Sequence, residues 1–293
     1  MTPDQPISTF LSVEKPVVSV EFFPPRDEAG GEQILATAEE IREQIQPDFV
    51  SITYGAGGGT RERTFRYARL LKEEYGFEVM PHLTCVGSSR KELREILASF
   101  WESGVRNVMA LRGDPPKGET SFKPHPDGLP YAADLVQLIQ NAFPEICLGV
   151  AGYPEIHPEA PSPEDDIRYL KAKVEAGASF VTTQLFYDNR YFLEWGERCR
   201  EHGIDVPLVP GLMPIRSAKQ ARRFCEHIPE ELSQALDEAG DDPEQTLEVG
   251  IDWTTRQITE LFNAGYKAAH LYIMNRSGAA VEVIRRLRQN GVL

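Results

Sequence analysis

Eight short apolar or β-branched runs recur along the chain, each followed by a stretch of helical periodicity. They are VVSVEFF from Val17, FVSITY from Phe49, EVMPHLTC from Glu78, NVMALRG from Asn107, CLGVAGY from Cys147, FVTTQLFY from Phe180, PLVPGLM from Pro207 and AAHLYIM from Ala268. Between them, segments such as GEQILATAEEIREQI from Gly31 and RKELREILASFWESG from Arg90 repeat apolar residues at i, i+3, i+4 and i+7, one face of a helix. Several close on glycine, as at Gly104 and Gly177, where a helix C-terminus needs positive φ. Strict alternation of strand and helix predicts parallel strands, and eight units in about 250 residues is the size of a (β/α)8 barrel. A doubly wound open sheet shares the alternation but usually has fewer strands, so it stands second.

The rhythm stretches in two places. Pro115 to Pro130 is rich in proline, glycine and polar residues and reads as a long loop at the C-terminal end of the fourth strand. Ser217 to Lys267 leaves room for an extra helical segment between strands seven and eight. There is no internal repeat and no interdomain linker. The expectation is therefore an α/β chain forming a single (β/α)8 TIM barrel over residues 1–293, with residues 1–16 as an N-terminal extension.

Composition narrows the partners. The 293 residues carry 31 basic and 45 acidic side chains, a formal net charge of -14. Nucleic acid and anionic membrane both require a concentrated basic field, so neither is expected. No apolar run approaches the ~18 residues that cross a bilayer, and Met1 to Pro16 lacks the order of a signal peptide. The expectation is a soluble cytoplasmic protein. Cys85, Cys147, Cys199 and Cys225 lie far apart and are read as reduced thiols. From Glu226 to Asp252 there are ten acidic residues and no lysine or arginine, read as a solvated face.

Barrel active sites lie at the C-terminal ends of the strands, and here those ends are polar. Glu21 sits between Val20 and Phe22, where lost hydration would raise its pKa and suit it to general-acid work. A structural acid paired to a basic residue fits the same position. Asp114, after Arg112 and Gly113, reads either as a ligand carboxylate or as a loop cap. The turn Gly55-Ala56-Gly57-Gly58-Gly59-Thr60 departs from a dinucleotide fingerprint because its last position is Thr60. His82, His157 and His270 are isolated, and such histidines are more often satisfied hydrogen-bonding residues than metal ligands. Tyr54, Tyr153, Phe186, Tyr187 and Tyr272 near strand ends fit barrel packing or a flat heteroaromatic ligand.

In order, EFFPP at Glu21 to Pro25, SITYGAGG at Ser51 to Gly58, PHLTC at Pro81 to Cys85 and LRGD at Leu111 to Asp114 closely resemble the flavin-dependent methylenetetrahydrofolate reductases. GYPEIHPEA from Gly152, TQLFYD from Thr183, PGLMPI from Pro210 and LYIMNR from Leu271 extend the resemblance, which runs from about Val17 to Arg288. It implies a (β/α)8 barrel with non-covalent FAD. It also implies a ping-pong reaction in which NAD(P)H and then 5,10-methylenetetrahydrofolate use one site, giving 5-methyltetrahydrofolate and feeding methionine biosynthesis.

Carried over by position, Glu21 matches the family's general acid and Asp114 the carboxylate near flavin and pterin. Gln184, Gln220, Phe224, Tyr272 and Arg276 match folate or nicotinamide contacts. Thr53, His82, Arg112, Gly113, Asp114, Tyr131, Ala132, Tyr153, His157, Asp166 and Lys173 match flavin contacts, with Arg112 and Lys173 suited to flavin or phosphate oxygens. Lys219, Arg222 and Arg223 lie nearby in sequence for a folate tail. The departures are a glycine-richer turn after strand two, Leu185 in place of an aromatic, a second proline in RGDPP and a longer Lys117 to Asp127 loop. The chain ends at the barrel, so the regulatory domain of eukaryotic members is expected to be absent; the resemblance also implies a homo-oligomer. The competing classes are a metal-dependent barrel lyase or hydrolase using Glu21, Asp114 and His82, and a non-catalytic barrel subunit.

Overall fold

The computed structural model describes residues 4–54, 61–115, 118, 121–225 and 227–293. The Gly55 to Thr60 turn lies outside the described residues, as do Pro116, Lys117, Glu119, Thr120 and Glu226. In chain order the elements are α1 (Ile7–Leu11), β1 (Val17–Phe22), α2 (Glu28–Gln44), β2 (Phe49–Ile52), α3 (Arg61–Glu73), β3 (Val79–Thr84), α4 (Arg90–Glu102) and β4 (Asn107–Leu111). They continue with α5 (Ala132–Ala142), β5 (Cys147–Gly152), α6 (Pro163–Glu175), β6 (Phe180–Thr183), α7 (Asn189–Glu201), β7 (Leu208–Val209) and β8 (Gly211–Leu212). The chain ends with α8 (Ala218–Phe224), α9 (Glu230–Ala239), α10 (Pro243–Asn263), β9 (Ala268–Tyr272) and α11 (Gly278–Gln289).

All strand pairs are parallel, in the order β7-β6-β5-β4-β3-β2-β1-β9-β8. The two ends of that order, β7 and β8, are separated by Pro210 alone, so they are two halves of the predicted seventh strand. Proline has no N–H for the ladder, which interrupts the strand without moving it. The Pro210 carbonyl still accepts from the His270 amide at 2.9 Å, and the Gly211 amide donates to Thr183 Oγ1 at 2.9 Å. Together these bonds close the (β/α)8 barrel between β6 and β9. A side chain at Gly211 would not fit, because a Cβ there would lie 2.2 Å from the Thr183 carbonyl oxygen.

The helices form where the sequence places caps. Ser89 and Glu92 make a reciprocal capping box at the start of α4, and Ser162 caps α6, which has proline in its first turn. Gly104 and Gly177 take φ of +82° and +121°, as their positions after helices predict. The extra segment before β9 comprises three helices, α8 to α10. Its acidic side chains stay largely exposed, as expected of a solvated face, and several of them pair with arginines. Glu231 pairs with Arg256, Asp237 with Arg222, and Glu248 and Asp252 with Arg286.

Two apolar layers hold the barrel. Outward strand residues such as Val18, Val20, Phe22, Val50, Ile52, Leu148, Val150 and Leu271 pack against the helices in one large core. Inside, at the strand starts, Val17, Phe49, Met80, Met109, Cys147, Phe180, Val209 and Ala268 form a separate cluster capped by Ile7 of α1. Residues 4–11 are thus a plug under the barrel. The Ile7 amide donates to Asn107 Oδ1 at 2.8 Å, and Asn107 Nδ2 returns a bond to the Gln5 carbonyl at 2.8 Å. All four cysteines are free and buried. Among the described residues, no helix is long and apolar enough to cross a membrane.

Candidate active site

In β1 the alternation V-S-V-E-F sends Val18, Val20 and Phe22 to the helices and turns Ser19 and Glu21 into the barrel. Parallel register then sets Ser19 beside His270 and Glu21 beside Ser51 and Tyr272. The result is a polar layer above the apolar one. Ser19 Oγ lies 2.7 Å from His270 Nδ1, and Ser51 Oγ donates to Glu21 Oε2 at 3.3 Å. Glu21 Oε2 is 3.3 Å from His82 Nε2 and 3.5 Å from His270 Nε2. His270 also stacks on Phe49 and meets the Tyr272 ring edge-on. Tyr272 donates to the Thr183 carbonyl at 2.6 Å, tying the layer to β6.

Electrostatics here correct the sequence reading of Glu21. Burial does push its carboxyl up, and this is the largest single influence. The hydrogen bond from His270, the charge of His82 and His270 and the Ser51 bond together outweigh it, so the group lies below the ordinary glutamate value. Glu21 rests as a carboxylate among imidazoles. Burial pushes His82 down against the pull of Glu21, and it pushes the Tyr272 phenol well up, with Glu21 adding to the shift.

A second group surrounds the ends of β4 and β5. Arg112 makes a bidentate pair with Glu159, at 2.6 and 2.8 Å, and lies over the Phe122 ring. The sequence reading offered Arg112 to an anionic ligand and did not anticipate Glu159, which occupies its guanidinium. Gly113 follows with φ of +90°, and Asp114 is exposed at the turn. Tyr153 packs edge-on against His157, whose Nδ1 accepts the Glu159 amide at 3.0 Å. Asp166 accepts the His157 amide at 3.3 Å, and burial pushes its carboxyl up. Lys173 donates to the Ala151 carbonyl, and burial lowers its ammonium to about 8. Thr53 follows β2, and Tyr131, 65% exposed, stands at the start of α5 beside Ala132.

The remaining predicted residues line the β6 to β9 side. Gln184 and Phe224 are exposed, while the Gln220 amide is engaged within its own loop, accepting from the Arg216 amide at 2.9 Å and donating to Met213 Sδ. Arg276 is exposed beyond β9. Two buried polar atoms on β3, His82 Nε2 and Thr84 Oγ1, have no hydrogen-bond partner among the described residues. Glu21, His82 and Asp114 do not assemble into a metal centre, and among the described residues no three His, Cys, Asp or Glu side chains do.

Sequence reasoning missed Ser19, Ser51 and Glu159, and it left His270 as an isolated residue. Only Ser19 carried a signal, since it shares the inward parity of Glu21 in VSVEFF.

A family model described as methylenetetrahydrofolate reductase matches residues 7–288. The chain belongs to the methylenetetrahydrofolate reductase family. The 5,10-methylenetetrahydrofolate reductases of Pectobacterium carotovorum and Escherichia coli are 39% identical to it over 92% of this chain and 89% and 90% of theirs. A methylenetetrahydrofolate reductase (NADH) of Zea mays is 38% identical over 92% of this chain and 48% of its own length. Among solved structures, a Clostridium thermocellum protein described as binding two copies of 5-methyl-5,6,7,8-tetrahydrofolic acid superposes with a TM-score of 0.66. It is 16% identical and the match covers 97% of this chain and 99% of that one, a likeness of fold.

Proposed function

We propose that this reductase-family chain reduces 5,10-methylenetetrahydrofolate to 5-methyltetrahydrofolate with NAD(P)H, using non-covalent FAD in a ping-pong cycle. The observation that carries the reading is the Glu21 cluster, an ionisable, water-poor centre at the mouth of a barrel whose whole length matches that family.

The residues present fit a flavin. A polar heteroaromatic edge over β3 would satisfy the buried Thr84 Oγ1, which has no hydrogen-bond partner among the described residues. Thr53, Gly113, Asp114, Tyr131, Ala132, Tyr153, His157 and Asp166 would hold it, and Arg112 and Lys173 would meet its anionic groups by sharing or giving up their contacts with Glu159 and the Ala151 carbonyl. When bound, FAD supplies hydride relay between the nicotinamide and the folate. The chain itself manages the proton. Opening the five-membered ring of the folate requires a proton on its amine nitrogen, which leaves an electrophilic iminium carbon to accept hydride. Glu21 is the group that delivers this proton. Because it rests ionised, Glu21 must take up a proton before it can deliver one, while His270, which Ser19 orients through Nδ1, and His82 hold its Oε2 in place. Gln184, Gln220, Phe224 and Tyr272 position the flat substrate, and Asp114 meets its pterin.

The test is a visible spectrum of the purified protein, followed anaerobically by NADH and then by methylenetetrahydrofolate. Flavin absorbance that bleaches and then returns supports the proposal. Colourless protein that takes up no FAD overturns it. In the same experiment Glu21→Gln should retain bleaching by NADH and lose recovery by folate, and unimpaired recovery would remove Glu21 from its role.

A further inference from the structure

The ladder between β1 and β9 runs in register from Val17 and Ala268 to Glu21 and Tyr272. Just beyond that rung the chain leaves the strand. Met274 and Asn275 take φ of +52° and +54° in succession, and the Ile273 carbonyl turns to accept the Arg276 amide at 3.0 Å. Left-handed backbone ends a strand, and a methionine in it is strained unless its neighbours hold it.

Phe23, two residues past Glu21, is thereby deprived of a backbone partner on β9. On the β2 side the Thr53 amide donates to the Phe22 carbonyl at 2.9 Å, so the Phe23 amide and carbonyl point the other way, towards β9. The Asn275 carboxamide meets both. Its Oδ1 accepts from the Phe23 amide at 2.8 Å and its Nδ2 donates to the Phe23 carbonyl at 2.8 Å. A side-chain amide has the donor and the acceptor of a peptide group, so it carries the ladder past the point where the β9 backbone stops. Asparagine also enters the left-handed region more readily than most residues, so one residue supplies both the turn and the bond pair. The loop is fastened to α2 as well, where Thr37 Oγ1 donates to the Asn275 carbonyl at 3.0 Å and Ser277 Oγ donates to Glu40.

We propose that Asn275 is a positioning residue for Glu21, its carboxamide holding the ends of β1 and β9 together so that the Glu21 carboxylate stays within reach of the imidazoles. Glu21 is the last residue of β1 paired with β9, and its Oε2 lies 3.5 Å from His270 Nε2 on β9 and 3.3 Å from His82 Nε2 on β3. Ser51 of β2 and Tyr272 of β9 also face it. Fraying of β1 from β9 lengthens the contact with His270 first. The influences that hold the carboxyl down then weaken, whether the site stays dry or admits water, and the group rises. The consequence for rate rests on the reductase reading above, whereas the titration of Glu21 does not.

Asn275→Gly tests the proposal, because glycine keeps the left-handed backbone without strain and removes both bonds to Phe23. Asn275→Ser, neutral and shorter, should act in the same direction and serves where the glycine variant does not fold. Thr37→Val is the control, since it loosens the same loop from α2 and leaves the Phe23 pair in place. The purified proteins are compared by 13C NMR titration of labelled glutamate carboxyls, with Glu21→Gln assigning the signal, and by the two flavin half-reactions. Asn275→Gly should titrate Glu21 at higher pH than wild type, slow reoxidation by methylenetetrahydrofolate about ten- to a hundredfold, and leave bleaching by NAD(P)H within about twofold. The pH profile of reoxidation should move the same way as the titration. Thr37→Val should lower Tm yet keep the wild-type titration and profile. An unmoved Glu21 titration in folded Asn275→Gly overturns the proposal. So does an equal shift in Thr37→Val, which would reduce the effect to a general loosening of the loop. Wild type that takes up no flavin, or that methylenetetrahydrofolate does not reoxidise, refutes the reductase reading, while the titration still decides the role of Asn275.

Discussion

Ser19→Ala isolates the part of the site that orients the proton. The serine hydroxyl is 2.7 Å from His270 Nδ1, with Ser19 completely buried and His270 1% exposed, so no water replaces the lost partner. Leaving a buried ring nitrogen unsatisfied costs about 1–3 kcal/mol. In a chain of this size that corresponds to a drop in Tm of roughly 2–4 °C per kcal/mol, readable by calorimetry. The catalytic consequence is separate from stability. With the imidazole released, Glu21 loses the hydrogen bond that most lowers its carboxyl, and burial then pushes it up. The pH profile of flavin reoxidation by methylenetetrahydrofolate should shift to higher pH, while reduction by NAD(P)H keeps its profile. A variant that loses stability but keeps the wild-type reoxidation profile would refute the control of Glu21 by His270. Unchanged Tm and unchanged profile together would refute the hydrogen bond itself.

Two further outcomes test the barrel floor. Ile7→Ala removes a completely buried side chain from the plug under the strand starts and should cost about 2–5 kcal/mol, with folate affinity little changed because the site lies at the opposite end. Denaturant titration checks it, and a cost below about 1 kcal/mol would show that the plug is loosely packed. Asp4, paired with Lys72, has its carboxyl raised to about 7, chiefly by burial. The folded state thus holds this proton more tightly than the unfolded chain does. Stability conferred by protonated Asp4 is full below about pH 4 and is lost as pH rises towards 7, with a limiting slope of about 1.4 kcal/mol per pH unit. Asp4→Asn should remove that slope, and identical pH dependence of wild type and variant would rule it out.

The order of strands and helices was legible in the sequence because periodicity reports which face is buried, and each run from Val17 to Ala268 keeps its period. The role of Glu21 as a polar residue inside a strand was legible too. Its electrostatic state was not. A desolvated carboxyl on its own would be raised, and only the closure that brings His82 and His270, 61 and 249 positions away, to its side reverses the direction. The same holds at the strand ends. The pairing of Arg112 with Glu159 depends on loops meeting across the barrel mouth. Sequence therefore determined the elements, the inward parity of Ser19 and Glu21 and the family pattern, all local or ordered properties of the chain. Tertiary structure decided which charges are paired and which are free, because Coulomb and desolvation terms depend on distance and burial, and parallel barrel closure sets both between residues remote in sequence.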